Sequence, residues 1–235
     1  MPVNGLFKSE RLLYRAIENS DEDIAFLGKM LHDLLIQIMS TTRIQRPMTK
    51  KSVTDMVKFF QDAVLGVMIC LPPDESLPKE ETTTTSAPGH QSTSQPQQDA
   101  VQPIPIGHVA LFNDNGVEYY HHRNATVGIS LAEEFRGKGY GGEAMNWALD
   151  WAFEMAGLHR VSLNAFSYNE NAVKLYRKLG FIEEGREREA IFHRRSWYDV
   201  ICFPMLEHEW EKLRNGALAE KTRGVGPGTD TPSQQ

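Results

Sequence analysis

A chain of 235 residues with 40% hydrophobic and 24% charged side chains is long enough to bury one core of ordinary size. Its 31 acidic against 25 basic residues give a net charge of −6, which argues against a nucleic-acid partner bound by phosphate neutralisation, and none is expected. No apolar run approaches about 18 residues and "MPVNGLFKSERLLYR" has no export-signal core, so no membrane partner is expected and the location expected is cytoplasmic or nuclear.

Along the chain, "ERLLYRAIE" reads as a strand. "SDEDIAFLGKMLHDLLIQI" reads as one helix, with Ser20 as N-cap and acids in its first turn. A second helix is expected over about Lys51 to Val64, and "GVMICL" and "IGHVALF" are strands. Between them, residues 72–105 hold seven of the twelve prolines and no aromatic residue, the composition of a disordered insertion. Asp114-Asn115-Gly116 signals a turn and "VEYYHH" a returning strand. "ATVGISL" is the next strand.

A helix over Glu143 to Ala156 follows, with its polar residues Glu143, Asn146, Asp150 and Glu154 on one narrow stripe, so most of it faces a sheet. "HRVSLNAF" (strand), "NENAVKLYRKL" (helix), "FIEEGREREAIFH" and "WYDVICFPML" (paired strands) complete an α+β, mixed α/β domain of six or seven strands and about four helices over residues 6–213. A disordered tail is expected over 214–235. Cys70 and Cys202 are far apart within apolar sequence, with no metal-ligand spacing, so no metal is expected.

"RGKGYGG", Arg136 to Gly142, places four glycines and two cations between a strand and a helix. Such a loop offers backbone N–H groups and the positive end of a helix dipole to an anion, and glycine permits the close approach. Gly137-x-Gly139-x-x-Gly142 matches a dinucleotide fingerprint in letters. That fold expects an acid about 20 residues on, at the end of the next strand, where this chain has Asn164, Ala165 and Phe166. A phosphate-binding GxxxxGK[ST] loop is absent, as are the HRD and DFG signatures of kinases.

Arg136-x-x-Gly139-x-Gly141 after a strand, "NENAVKLY" with "LGF" beyond it, and "EGRERE" together resemble the GNAT superfamily of acetyl-CoA-dependent N-acetyltransferases, in particular the branch of ribosomal-protein N-terminal and spermidine acetyltransferases. The resemblance runs from about residue 9 to 206, insertion excluded. It implies a single, mostly antiparallel sheet splayed at the coenzyme site and acetyl-CoA as co-substrate. Main-chain N–H groups of Lys138, Gly139, Tyr140, Gly141 and Gly142 would cradle the coenzyme diphosphate, with Gly137 in the same loop and Arg136 beside it, the charges of Arg136 and Lys138 pairing with phosphate oxygens. Ile129, Ser130 and Leu131 would line the pantetheine arm, the N–H of Ile129 or Ser130 facing the thioester carbonyl. Asn169, Ala172 and Tyr176 would complete the site, with Tyr176 as general acid.

The chemistry implied is attack of a neutral amine on a thioester through a tetrahedral intermediate, whose oxygen needs a preplaced donor. Neutralising an alkylammonium of pKa about 10.4 at pH 7 costs about 4.6 kcal/mol, against about 1 for an α-amino group. Candidate bases are Glu133, Glu134, Tyr119, His121 and His122; if "VEYYHH" is a strand, only one of the two histidines faces the site. The turn His193-Arg194-Arg195-Ser196 lacks the glycine usual in the family, so the acceptor is not inherited from the resemblance. The acceptor classes expected are a protein N-terminus, a polyamine or another small amine, and the assembly a monomer or homodimer. The alternative is a non-catalytic acyl-CoA-binding sensor or scaffold.

Overall fold

The computed structural model describes residues 5–73, 102–113 and 117–223. Its sheet has seven strands: β1 (Leu13–Ala16), β2 (Leu65–Leu71), β3 (Ile104–Phe112), β4 (Asn124–Leu131), β5 (Arg160–Phe166), β6 (Gly185–His193) and β7 (Ser196–Leu206). Their spatial order is β1-β2-β3-β4-β5-β7-β6. Every neighbouring pair is antiparallel except β4 and β5. β2 and β3 read as near-continuous apolar runs because both faces of the sheet are covered. On one face Val67, Ile69, Val109 and Leu111 meet the buried side of a helix; on the other Met68, Cys70 and Ala110 meet Leu27, Val57 and Phe60.

Six helices flank the sheet among the described residues, against the four expected. α1 (Asp21–His32) and α2 (Leu34–Ser40) replace the single long helix read from the sequence. Asp33 breaks it. Its backbone is extended, and its carboxylate accepts hydrogen bonds from Leu35 and Ile36 N–H (2.8 and 3.2 Å), so a helix restarts where one was expected to continue. α3 (Lys50–Asp62) starts with a capping box of Thr49 and Ser52. α4 (Tyr140–Asp150) widens into a π-helical turn, Trp151–Met155, before Gly157 turns the chain at φ 60°. α5 is Glu170–Lys178 and α6 is Glu207–Arg223.

Three further expectations need correcting. "VEYYHH" forms a 3-10 turn, Val117–His122, not a strand, and it brings the rings of His121 and His122 to 3.8 Å between centroids, tilted by 45°. β3 begins at Ile104, inside the insertion as drawn; residues 74–101 and the turn signal at 114–116 lie outside the described residues. α6 carries the chain ten residues, 214–223, into the expected tail, while 224–235 lie outside the described residues. Trp210 and Arg214 anchor that helix: Trp210 Nε1 and Arg214 Nε both donate to Asp150 Oδ1 (2.8 and 2.6 Å).

Two buried polar groups in the α1/α3 layer behave differently. Burial works against the charge of Asp23, but the paired hydrogen bonds from Arg15 (2.6 and 2.8 Å) and one from Glu18 N–H outweigh it, holding this carboxyl below its usual range. His108 on β3 has no such help. Its ring lies 4.5 Å from that of Phe60, its Nδ1 has no partner among the described residues, and burial depresses its pKa to about 4.

A base depressed in the fold leaves stability intact above pH 6.5. It costs stability as the unfolded chain takes up a proton between pH 6.5 and 4, up to about 3 kcal/mol. Denaturant unfolding at pH 7 and pH 4.5 should therefore show a smaller loss of stability on acidification in His108→Leu than in the parent. Equal losses would remove His108 from the acid response.

Candidate active site

β4 and β5 are parallel, so their C-terminal ends, and the N-termini of the helices that follow, lie at one edge of the sheet. This is where open α/β sheets place ligands, and two positive helix-dipole ends converge there. Pairing between the two strands covers only Asn124–Thr126 with Arg160–Ser162. Beyond it β4 continues to Leu131 and β5 to Phe166 while their facing edges part. Each strand keeps its outer neighbour, β3 or β7, so the opening is a slot inside an intact sheet. Ile129, Ser130 and Leu131 lie along its β4 side.

The glycine loop closes the upper end of this slot. Gly137 and Gly139 have φ of 73° and 85°, left-handed values that β-carbon-bearing residues adopt at a cost. Gly139 is the N-cap of α4 and has no side chain to satisfy the first helical donors. Glu143 N–H donates to Gly139 O, but the N–H groups of Gly137, Lys138, Gly139, Tyr140, Gly141 and Gly142 meet no protein acceptor among the described residues. Six main-chain donors in succession thus stand free for an anion.

Side chains around the loop partly depart from expectation. Arg136 does not point freely at the anion site: its Nε donates to Leu131 O (2.8 Å) and a terminal nitrogen to Asp33 (2.7 Å). It ties the loop to the end of β4 and the start of α2. Burial opposes the charge of Asp33, yet this pairing and the Leu35 and Ile36 N–H groups hold its pKa down. Arg11, unremarked in the sequence, is the cation next to the loop. It donates to Lys138 O (3.1 Å), pairs with Glu143 (2.8 Å), and stands 4.7 Å over the Tyr140 ring. Ser9 adds a hydrogen bond to Glu143 (2.7 Å), so the first turn of α4 is bolted to the chain leading into β1. Lys138 lies 5.6 Å from the Phe135 ring.

Asn169 caps α5, its Oδ1 accepting from Ala172 N–H (3.3 Å). Tyr176, two turns on, is half-buried; its ring meets Phe181 edge-on at 6.0 Å and Phe203 at 6.2 Å. Its hydroxyl has no hydrogen-bond partner among the described residues, and burial pushes its pKa up, so it holds its proton at neutral pH.

The candidate bases are scattered. Tyr119, His121 and His122 precede Asn124, at the opposite end of β4 from the loop and roughly 23 Å of strand from Leu131. Glu134 is paired with Lys29 (2.9 Å). Glu133 alone is exposed beside the loop with no ion pair among the described residues.

α2 packs over β4, and Tyr168 OH donates to Ile38 O. Tyr168 also meets the rings of His193 (5.2 Å) and Tyr198 (5.0 Å), gathering α2, the β5–α5 loop and the β6–β7 turn into one flank. That turn is closed by Arg194 and Arg195, both left-handed (φ 46° and 65°), a conformation that usually selects glycine or asparagine.

Residues 79–181 match the acetyltransferase (GNAT) family. Over that stretch the chain is similar to the family's members. Over 105 residues, 45% of the chain, it is 39% identical to a spermidine N(1)-acetyltransferase of Vibrio cholerae and 32% identical to a putative ribosomal N-acetyltransferase, YdaF, of Bacillus subtilis. The chain spans a little over half the length of these relatives, 58% and 55%. A solved structure, spermidine N-acetyltransferase from Vibrio cholerae in complex with CoA and spermine, has the same fold, with a TM-score of 0.65 at 23% identity over 86% of this chain and 99% of that one. A dodecameric form of that enzyme matches at 0.59 and 25% identity over 86% and 97%. Among the described residues no helix is long and apolar enough to cross a membrane.

Proposed function

We propose that the chain transfers the acetyl group of acetyl-CoA to a primary amine, with a polyamine as the acceptor class its named relatives favour. The single observation that carries this reading is the run of unpartnered N–H groups from Gly137 to Gly142 at the mouth of the β4–β5 slot. A diphosphate satisfies those donors, and an extended thiol arm fits a slot edged by main-chain polar groups. The N–H of Ile129 or Ser130 on the parted edge of β4 is suited to polarise the thioester carbonyl. Tyr176, protonated and free of protein partners, is suited to give its proton to the departing thiolate. Glu133 is the carboxylate nearest the loop that remains free to receive the ammonium proton, directly or through water. Arg136 and Asn169 act by positioning: one fixes the loop, the other the start of α5.

The test is acetyl transfer from acetyl-CoA over spermidine, spermine, N-terminal peptides and small amines. Turnover is expected on at least one class, with polyamines first. Coenzyme binding with turnover on none would transfer the reading to a non-catalytic acyl-CoA sensor or scaffold. For assembly, monomer or homodimer remains the proposal, and the dodecameric neighbour makes light scattering on the full chain the deciding measurement.

A further inference from the structure

Asp33 does two jobs with one carboxylate. Its Oδ1 accepts from Leu35 and Ile36 N–H at the start of α2, and its Oδ2 accepts from a terminal nitrogen of Arg136 (2.7 Å). Arg136 in turn donates through Nε to Leu131 O at the end of β4. These contacts spend two of the five N–H groups of a guanidinium, and the rest have no acceptor among the described residues. A second ion pair, Lys29 with Glu134 (2.9 Å), joins the same two segments, but the pairs differ in weight. The side chains of Lys29 and Glu134 are 68% and 50% exposed, those of Arg136 and Asp33 only 29% and 24%. Water screens the first pair far more than the second.

α2 carries the connection onward. Gln37, buried, donates through Nε2 to Leu31 O (2.8 Å) and locks α2 to the last turn of α1. One residue later, Ile38 O accepts from Tyr168, whose ring meets those of His193 and Tyr198. A continuous run of hydrogen bonds and ring contacts thus leads from the glycine loop, through Arg136, Asp33 and one short helix, to the β5–α5 loop and the β6–β7 turn.

We propose that Asp33 is a positioning residue through which occupancy of the glycine loop is transmitted to α2 and the flank it supports. An anion in the loop draws on the remaining N–H groups of Arg136, and the share of its charge left to Asp33 falls. The carboxylate then holds the Leu35 and Ile36 N–H groups more strongly, and the start of α2 tightens. This rests on the reading of the loop as the coenzyme diphosphate site. It adds what that reading lacks: a route by which loop and flank respond to one another.

Backbone amide resonances of the full chain, recorded with and without saturating CoA, test it. The reporters are the Leu35 and Ile36 amides, which donate to Asp33 itself. In the parent both should shift on CoA binding, together with the amides of Gly137–Gly142. In Asp33→Asn, whose side-chain oxygen still caps α2, the loop amides should shift while the two reporters stay still. CoA affinity should fall about two- to fivefold in that variant, as befits loss of one partly exposed ion pair. Arg136→Gln should silence the reporters from the other side of the pair. Loop amides that respond in the parent while Leu35 and Ile36 do not, or reporters that still respond in either variant, overturn the assignment and leave the loop site standing. Loop amides that do not respond to CoA overturn both.

Discussion

Gly141→Asp is expected to weaken CoA binding by roughly 30- to 1,000-fold without unfolding the protein. A carboxylate about 4 Å from a diphosphate charge repels it by about 2–4 kcal/mol at the effective dielectric of a protein surface, and each 1.4 kcal/mol is tenfold in affinity. The position is well suited to the test. A β-carbon at Gly141 would meet only Leu131 Cδ1 at 3.6 Å, an ordinary contact, and its φ is not left-handed. In the unliganded protein an acid in the first turn of α4 is mildly stabilising, by about 0.3–1 kcal/mol. The melting temperature should thus hold or rise while coenzyme affinity falls. Gly141→Ala, which adds bulk without charge, separates crowding from repulsion. Unchanged CoA affinity in the aspartate variant would remove the loop as the diphosphate site.

Tyr176→Phe is expected to lower kcat by roughly 10²- to 10⁴-fold, the range for loss of a positioned proton donor. The ring packs on Phe181 and Phe203 while the hydroxyl contributes no hydrogen bond to the protein, so phenylalanine keeps the packing. CoA affinity should stay within about twofold. Burial raises the tyrosine's pKa above 10, so the parent should lose no activity through this group on the alkaline side until still higher pH. A fully active phenylalanine variant would exclude Tyr176 from proton transfer and leave the fold and loop untouched.

The parts of this protein legible in its sequence are those governed by short-range pattern. Ser20 as a cap, the buried face of α4 with its polar stripe, and the glycine loop between β4 and α4 each declare themselves within a few residues. Long-range pairing decides what the sequence conceals. Arg136 looks like a phosphate ligand beside four glycines, but Asp33, 103 residues earlier, holds it. Arg11 looks like a surface charge after a turn, yet meets the loop from 127 residues away. Asp33 reads as one polar residue in a helical pattern because nothing nearby shows that its carboxylate caps a new helix. The segment from Asn215 is poor in apolar residues, and the helix there depends on anchors further back, at Trp210 and Arg214. Strand propensity in "VEYYHH" is overridden within the eleven-residue connection between β3 and β4, where Val117–His122 takes a 3-10 turn instead of pairing.

Among the described residues, three registered pairs, Asn124 to Thr126 against Arg160 to Ser162, are the only ladder joining the four-strand plate β1–β4 to the three-strand plate β5–β7–β6. The rest of the seam depends on helices lying across it. A guest that bonds to both parted edges acts as a keystone, and its occupancy tightens the joint between the plates. Saturation at a hundredfold above Kd stabilises the protein by about 2.7 kcal/mol. Amide exchange along Val127–Leu131 and Leu163–Phe166 is where that tightening should register first.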